Sequence, residues 1–233
     1  PTKPAETFYD DIKKLPAATF LKIRMGSDIL FEIEKYWDVD VDEQDMKLTD
    51  DHAIAKFNEL FRTSISRRLR SDVPLGTSLS GGLDSSSIVA MSESQQQVNN
   101  SHSCFTASFP GFEKDETKYA RQVSDRFSLK HYTTNITAED LVNDLDRFIG
   151  HHQEPISSAS VYAQFKVFEL AKKENIKVLL DGQGADELLA GYHKYVHWYL
   201  QELLVTDHSQ VEGEMTALKD NSKQPDRHSS KEH

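Results

Sequence analysis

The chain has 233 residues, a formal net charge of −11, 37% hydrophobic and 28% charged residues. That length supports one or two domains with a sizeable core, and the acidic balance argues against broad nucleic-acid binding, which needs cations to neutralise phosphates. No run of about 18 apolar residues offers a membrane span, no signal-peptide pattern opens the sequence, and the single cysteine, Cys104, cannot form an internal disulfide, which fits a cytoplasmic setting.

Residues 19–37 read as a β-hairpin. Leu21, Ile23 and Met25 alternate with polar neighbours, Gly26-Ser27-Asp28 makes the turn, and Phe31 and Ile33 alternate with Glu32 and Glu34. Residues 38–48 are acidic and poor in apolar side chains, as a linker is. Asp38, Asp40 and Asp42 have the spacing that opens a calcium loop, but Glu43 stands where glycine is needed and Thr49 where glutamate is needed. A solvated linker is therefore expected. From Thr49 or Asp50, either of which can cap, Ile54, Phe57, Leu60, Phe61, Ile65 and Leu69 keep a helical period. Arg67, Arg68 and Arg70 suit that helix's C-terminus, whether they face phosphate or solvent.

The apolar run Val73–Leu79 reads as a strand and leads into Ser80-Gly81-Gly82-Leu83-Asp84-Ser85-Ser86. Two glycines allow a sharp turn and close approach of backbone to an anion. The hydroxyls of Ser80, Ser85 and Ser86 can donate to phosphate oxygens, beside the positive N-terminus of the helix that follows. Asp84 becomes a ligand there if Mg²⁺ lies between it and the phosphates. A Walker A loop needs a lysine in its Gly-Lys-Ser/Thr step, and no lysine lies between Arg70 and Lys114. A serine-capped Gly-Gly turn with no ligand is the plainer alternative.

Helix 85–97 follows, then strand Ser103–Phe109, then a helix over 115–127 with Tyr119, Ala120, Val123 and Phe127 on one face. His131–Thr134 is a short strand, and helix 138–149 is expected to bury Leu141, Val142, Leu145, Phe148 and Ile149. After the loop His151–Ser158 come helix 159–174, strand Ile176–Leu180, loop Asp181–Asp186 and helix 187–200. Beyond Asp207 the apolar pattern stops, so residues 207–233 are expected to form a polar tail that is disordered, or ordered only by a partner. Strands alternating with helices give the α/β class, a doubly wound parallel sheet with helices on both faces. Ligands of such sheets sit beyond the carboxyl ends of the strands, so the loops after 73–79, 103–109 and 176–180 should meet at one site.

The last of these loops, Asp181-Gly182-Gln183-Gly184-Ala185-Asp186-Glu187, again places glycines after a buried strand and an acidic pair at a helix start. Capping alone explains acids there, but two such loops at strand ends of one sheet point to a shared site. Asp84 and Asp186 are the natural pair to hold Mg²⁺ against ATP phosphates.

The segments Val73–Ser86 and Leu180–Tyr192 resemble the synthetase domain of glutamine-dependent asparagine synthetases, within the ATP-pyrophosphatases that carry a Ser-Gly-Gly-x-Asp-Ser loop. The resemblance spans roughly residues 8–200, including Tyr36-Trp37-Asp38 and the Phe109–Arg121 segment. It implies an adenine nucleotide alpha hydrolase-like fold over residues 49–206, with residues 1–37 as the end of a missing glutaminase domain, so that the chain is a fragment. It implies ATP and Mg²⁺, adenylation of the aspartate side-chain carboxylate with release of pyrophosphate, and attack by ammonia from that absent domain to give asparagine. A homodimer is compatible with it; nucleic-acid and membrane partners are not expected. By position, Leu79, Ser80, Gly81, Gly82, Asp84, Ser85, Ser86, Ala107 and Gly182 would contact the nucleotide, Asp84 and Asp186 the metal, and Gln183, Asp186 and Glu187 the chemistry.

Two departures qualify the resemblance. The family's usual second loop has serine and glutamate where this chain has Asp181 and Gln183, and Gln183 cannot take a proton. The family's later catalytic lysine lies beyond the end of the resemblance. A ligase for a different carboxylate, or a Mg-ATP-binding fragment without turnover, therefore stands beside the asparagine reading. Smaller candidates are His193 and His197, four apart on a helix and read as a surface pair rather than a metal site; His151-His152-Gln153-Glu154, in a loop that could reach the substrate; and Asp115-Glu116, which either approach the nucleotide or cap a helix.

Overall fold

The structure, a computed structural model, describes residues 5–26, 29–40, 48–95, 102–156 and 158–222. The expected hairpin forms, β1 (Thr19–Met25) pairing antiparallel with β2 (Ile29–Lys35); part of its turn, residues 27–28, and most of the linker, residues 41–47, lie outside the described residues. Helix α1 (Asp50–Arg68) then leads to β3 (Leu75–Ser78), α2 (Leu83–Gln95), β4 (Ser103–Ser108), α3 (Thr117–Arg126), β5 (Lys130–Asn135), α4 (Ala138–His152), α5 (Ala159–Lys173) and β6 (Val178–Leu180). These four later strands form one parallel sheet in the order β5-β4-β3-β6. The doubly wound class read from the sequence is thus what the chain adopts.

The strands alternate their side chains between two helical layers. Cys104 joins Leu79, Val89 and Ala120 in a core under α2 and α3, while its neighbour Phe105 joins Val167 and Ala171 under α5. A third cluster of Ile65, Ile88 and Leu180 packs α1 and α2 against β6. Burial pushes the Cys104 thiol up to about 12, so it remains protonated. The central strand β3 leaves no room for side chains at one point. A Cβ on Gly76 would lie 2.7 Å from Phe105 Cε2 and 2.9 Å from Leu179 Cδ2, so both neighbours pack over bare backbone.

Most polar groups inside the layers are paired; among the described residues Ser92 Oγ is buried without a partner. His102 bridges Thr77 Oγ1, 2.7 Å from Nε2, and Glu93 Oε1, 2.9 Å from Nδ1. His131 lies between Thr106 Oγ1 at 2.8 Å and Ser124 Oγ at 3.2 Å. On the outer side of α5, Asp144 accepts from Arg147 at 2.7 Å, Tyr162 at 2.7 Å and Lys166 at 2.9 Å. The bonds from Arg147, Lys166 and Tyr162 hold its carboxyl well below the usual range and tie α4 to α5.

Three expectations need correction. Helix 138–149 does not bury its whole apolar stripe: Phe148 is enclosed against Tyr162 and Phe165, but Val142, Leu145 and Ile149 are exposed, because α4 packs on α5 outside the sheet. Helix 187–200 is two helices, α6 (Ala185–Leu189) and α7 (His193–Thr206). Ala190 adopts a left-handed backbone (φ 56°), and Gly191 N–H then donates to Asp186 O at 3.0 Å. A side chain on Gly191 would run into the Asp186 carboxylate. The chain beyond Asp207 is ordered as far as Ser222: a single 3-10 turn (His208–Gln210) and α8 (Val211–Ser222) follow α7. The Asp207 side chain accepts from Ser209 and Gln210 at the start of this segment, and Val211 and Leu218 are half-buried on α8; residues 223–233 lie outside the described residues. No helix among the described residues is long and apolar enough to cross a membrane.

Two measurements test this packing. Gly76→Ala should cost about 1–3 kcal/mol through overpacking, read as a lower midpoint in denaturant; an unchanged midpoint would contradict the close approach of Phe105 and Leu179. Burial, with Arg121 nearby, holds the His131 imidazole below its ordinary value. Its neutral form therefore adds stability that is complete above the unfolded value of about 6.5 and is lost as pH falls below it. His131→Gln should flatten the pH–stability curve below that point, and an identical slope in both proteins would refute the assignment.

Candidate active site

The site begins where β3 ends. Leu79 N–H donates to Phe105 O at 2.9 Å, and Thr106 Oγ1 donates to Leu79 O at 2.5 Å, so the chain is held straight up to Ser80. It then turns at Gly81, φ 91°, in the left-handed region that favours glycine. A Cβ there would also lie 2.5 Å from Ala120 N, because the loop rests on the first turn of α3. Ser80 Oγ and Ser85 Oγ share a hydrogen bond of 3.0 Å, and Gly82 N–H donates to Ser80 Oγ at 3.2 Å. These bonds fix the loop's serines at the N-terminus of α2 without a ligand.

The second loop is seated beside the first. In the β3–β6 register Thr77 faces Leu180, so Ser78 and Asp181 emerge together at the strand ends. Gln164 on α5 joins them, its Nε2 donating to Asp181 Oδ2 at 2.7 Å and to Ser78 Oγ at 3.4 Å. A Cβ on Gly182 would lie 3.2 Å from Asp84 Cβ, which puts the two loops in van der Waals contact. Gly184 (φ 94°) then turns the chain into α6, with Asp186 in its first turn.

Between the loops lies an open cavity of about 290 Å³. Of the residues expected at the site, Leu79, Ser80, Asp84, Ser85, Ala107, Gly182, Gln183 and Asp186 line it. Gly81, Gly82 and Ser86 shape the loop without lining the cavity; Ser86 N–H is already committed to Gly82 O at 3.1 Å. Glu187 also stands off the wall, where its Oε1 accepts from Tyr192 OH at 3.1 Å, and Tyr192 does line the cavity. Gln164, Lys114, Ser160 and Tyr192 were not singled out by sequence; each comes from a helix or loop brought in by tertiary packing.

The two halves of the cavity differ in chemistry. Phe105, Ala107, Ala163 and Val167 make an apolar slot on the α5 side, and serines with backbone N–H groups face it from α2. The lining carries four carboxylates, Asp84, Glu116, Asp181 and Asp186, and one cation, Lys114. Asp115 is not part of the wall. It accepts from Ser108 Oγ at 3.0 Å, Phe109 N at 3.3 Å, and Thr117 N at 2.9 Å, and although burial raises its carboxyl these bonds outweigh it and hold it below the usual range. Its role is to lock the loop between β4 and α3.

The other candidates lie elsewhere. His151 and His152 belong to the last turn of α4, donating from Nδ1 to Arg147 O and Phe148 O at 2.8 and 3.2 Å. Arg68 bonds back to Ser64, and His193 and His197 are exposed on α7. Among the described residues no group of three or more His, Cys, Asp or Glu side chains could by itself hold a metal.

The asparagine synthase family model matches residues 56–232. A protein of Methanocaldococcus jannaschii whose name carries a provisional glutamine-hydrolysing asparagine synthetase assignment is 31% identical over 192 residues, 78% of this chain and 36% of the relative. Asparagine synthetase 1 of Bacillus subtilis is 28% identical over 184 residues, 79% of this chain and 28% of the relative. The chain thus spans about a third of the length of these relatives. Among solved structures, an ammonia-dependent NAD synthetase from Campylobacter jejuni aligns over 59% of this chain and 60% of its own, with 18% identity and a TM-score of 0.40.

The tight seat of the first loop can be measured. Gly81→Ala combines a left-handed backbone, about 1–2 kcal/mol, with a clash against Ala120. Gly111→Ala has the same backbone sign (φ 82°) and open space around it. Gly81→Ala should lower the melting temperature by several degrees more than Gly111→Ala, and equal shifts would contradict the contact with α3.

Proposed function

Because this chain belongs to the asparagine synthase family, we propose that its cavity binds Mg-ATP and adenylates a carboxylate, that of the aspartate side chain, for amide formation with ammonia. One observation carries the reading: the two glycine-rich loops, about a hundred residues apart in sequence, close on one cavity that both Asp84 and Asp186 line.

In this reading the adenine base occupies the apolar slot of Phe105, Ala107 and Val167, and the phosphates lie against Ser80, Ser85 and the N-terminus of α2. Roughly +0.5 of an elementary charge resides at such a helix end. Asp84 and Asp186 offer hard oxygen ligands, and among the described residues they belong to no group of three or more His, Cys, Asp or Glu, a donor set that fits Mg²⁺, which takes one or two carboxylates and fills its shell with phosphate oxygens and water. Mg²⁺ held there would neutralise phosphate charge as pyrophosphate departs.

A free carboxylate is a poor electrophile, and adenylation corrects this. Its oxygen attacks the α-phosphorus, and the bond from that phosphorus to the pyrophosphate oxygen breaks. Ammonia then adds to the acyl carbon, its surplus proton passes to solvent water, and AMP leaves as the carbonyl re-forms. Gln183, on the wall, can hydrogen-bond the tetrahedral intermediate but cannot accept ammonia's proton. Glu187 acts through Tyr192 and orients the loop. Ammonia would come from a glutaminase domain of which residues 1–37 form the end, in a cytoplasmic enzyme with which a homodimer is compatible.

Asp181 and Gln183 favour a second reading. Where the family has serine and glutamate, this chain presents a carboxylate pinned by Gln164 and a neutral amide. That changed wall supports a carboxylate other than aspartate as the substrate.

Incubating the chain with ATP, Mg²⁺, ammonium and a panel of carboxylates, and following pyrophosphate, separates these readings. Pyrophosphate with equimolar asparagine supports the first. Pyrophosphate with the amide of another acid supports the second, and bound ATP without pyrophosphate contradicts adenylation by this chain. Asp84→Asn should weaken Mg-ATP binding by about tenfold or more, as loss of a charged contact does; unchanged affinity would refute the metal role of Asp84.

A further inference from the structure

The cavity's charge is unbalanced. Four carboxylates and one ammonium line it, whereas the proposed ligand brings several negative charges of its own. Mg²⁺ between two aspartates answers part of that imbalance. Lys114 is the remaining cation of the wall, and it makes no ion pair, hydrogen bond or ring contact with any described residue. A lysine set among carboxylates yet paired with none is available to an incoming anion.

Its position is fixed by its neighbour. Asp115 is tied by Ser108, Phe109 and Thr117, and its own N–H donates to Phe112 O at 3.0 Å. The backbone at 114 therefore cannot wander, although the side chain is exposed at the cavity's rim. The loop that carries it runs into α3, and the first turn of α3 is the surface on which Gly81 rests. Lys114 thus stands on the same side of the sheet as the serine loop and α2, opposite the apolar slot under α5.

We propose that Lys114 binds the β- and γ-phosphates of the nucleotide and retains contact with pyrophosphate as it leaves. The inference rests on the Mg-ATP reading and adds a phosphate-binding residue from the loop between β4 and α3. Its ammonium supplies a point charge with three donors, suited to an oxygen-rich anion of varying orientation. Asp115 serves as the positioning residue for it.

The test is a titration of wild type, Lys114→Met and Lys114→Arg with Mg-ATP, AMP, adenosine and inorganic pyrophosphate, by calorimetry at fixed salt. Lys114→Met should weaken Mg-ATP and pyrophosphate by about tenfold or more and leave AMP and adenosine within about twofold. Lys114→Arg should restore most of the loss. Equal weakening of adenosine and ATP would assign Lys114 a structural role, and unchanged ATP and pyrophosphate affinity would leave it a solvated surface lysine; either result overturns the inference while the Mg-ATP reading stands. Failure of wild type to bind Mg-ATP at all would overturn both. Circular dichroism of each variant confirms that losses are not unfolding, since an exposed lysine with no partner has no packing to lose.

Discussion

The site depends on one constraint, the parallel pairing of β3 with β6 in a single register. Thr77 opposite Leu180 puts Ser78 and Asp181 at the same height, so the loops that follow begin side by side. Side-chain alternation then decides which way each residue points. Leu180 packs toward α1 and α2, so Asp181 turns toward α5 and meets Gln164. A slip of one residue would send Asp181 to the opposite face and leave Gln164 unpaired. The register is guarded by Gly76, where the side chains of Phe105 and Leu179 close over a position that admits no side chain.

Much of this was legible in the sequence because the signals are local. A short apolar run followed by Ser80-Gly81-Gly82, and another followed by Asp181-Gly182, mark strand, turn and helix start within a dozen residues. The parallel sheet followed from alternation of such units. The parts that stayed hidden are those set by distant contacts. Gln164 looks like an ordinary polar residue on α5 until the sheet delivers Ser78 and Asp181 to it. The apolar stripe of α4 promised a buried face, but only Phe148 meets the aromatic cluster of α5, since the helix lies in an outer layer. The break between α6 and α7 turns on Ala190 in a left-handed backbone, a residue type that gives no warning of it.

Charge explains why the site needs both its loops. The chain is strongly acidic, with a net charge of −11, and its cavity is acidic too, so no long-range field draws in an anion. In the Mg-ATP reading proposed above, local groups would hold it: backbone N–H groups, two serine hydroxyls already oriented by one another, a helix end, a metal held by the two aspartates, and one lysine. By sequence Asp115 could either approach the nucleotide or cap a helix, and its carboxylate accepts from Ser108, Phe109 and Thr117, the last at the start of α3. The residues on either side of it, Lys114 and Glu116, both reach the wall.

The central claim is that the loops at 78–86 and 181–187 form one Mg-ATP site. Amide hydrogen exchange of the chain, with and without Mg-ATP, tests it most directly. The account predicts that both segments gain protection together, over the same nucleotide concentration range, while the β1–β2 hairpin is unchanged. Protection confined to one loop, or to neither, would contradict it.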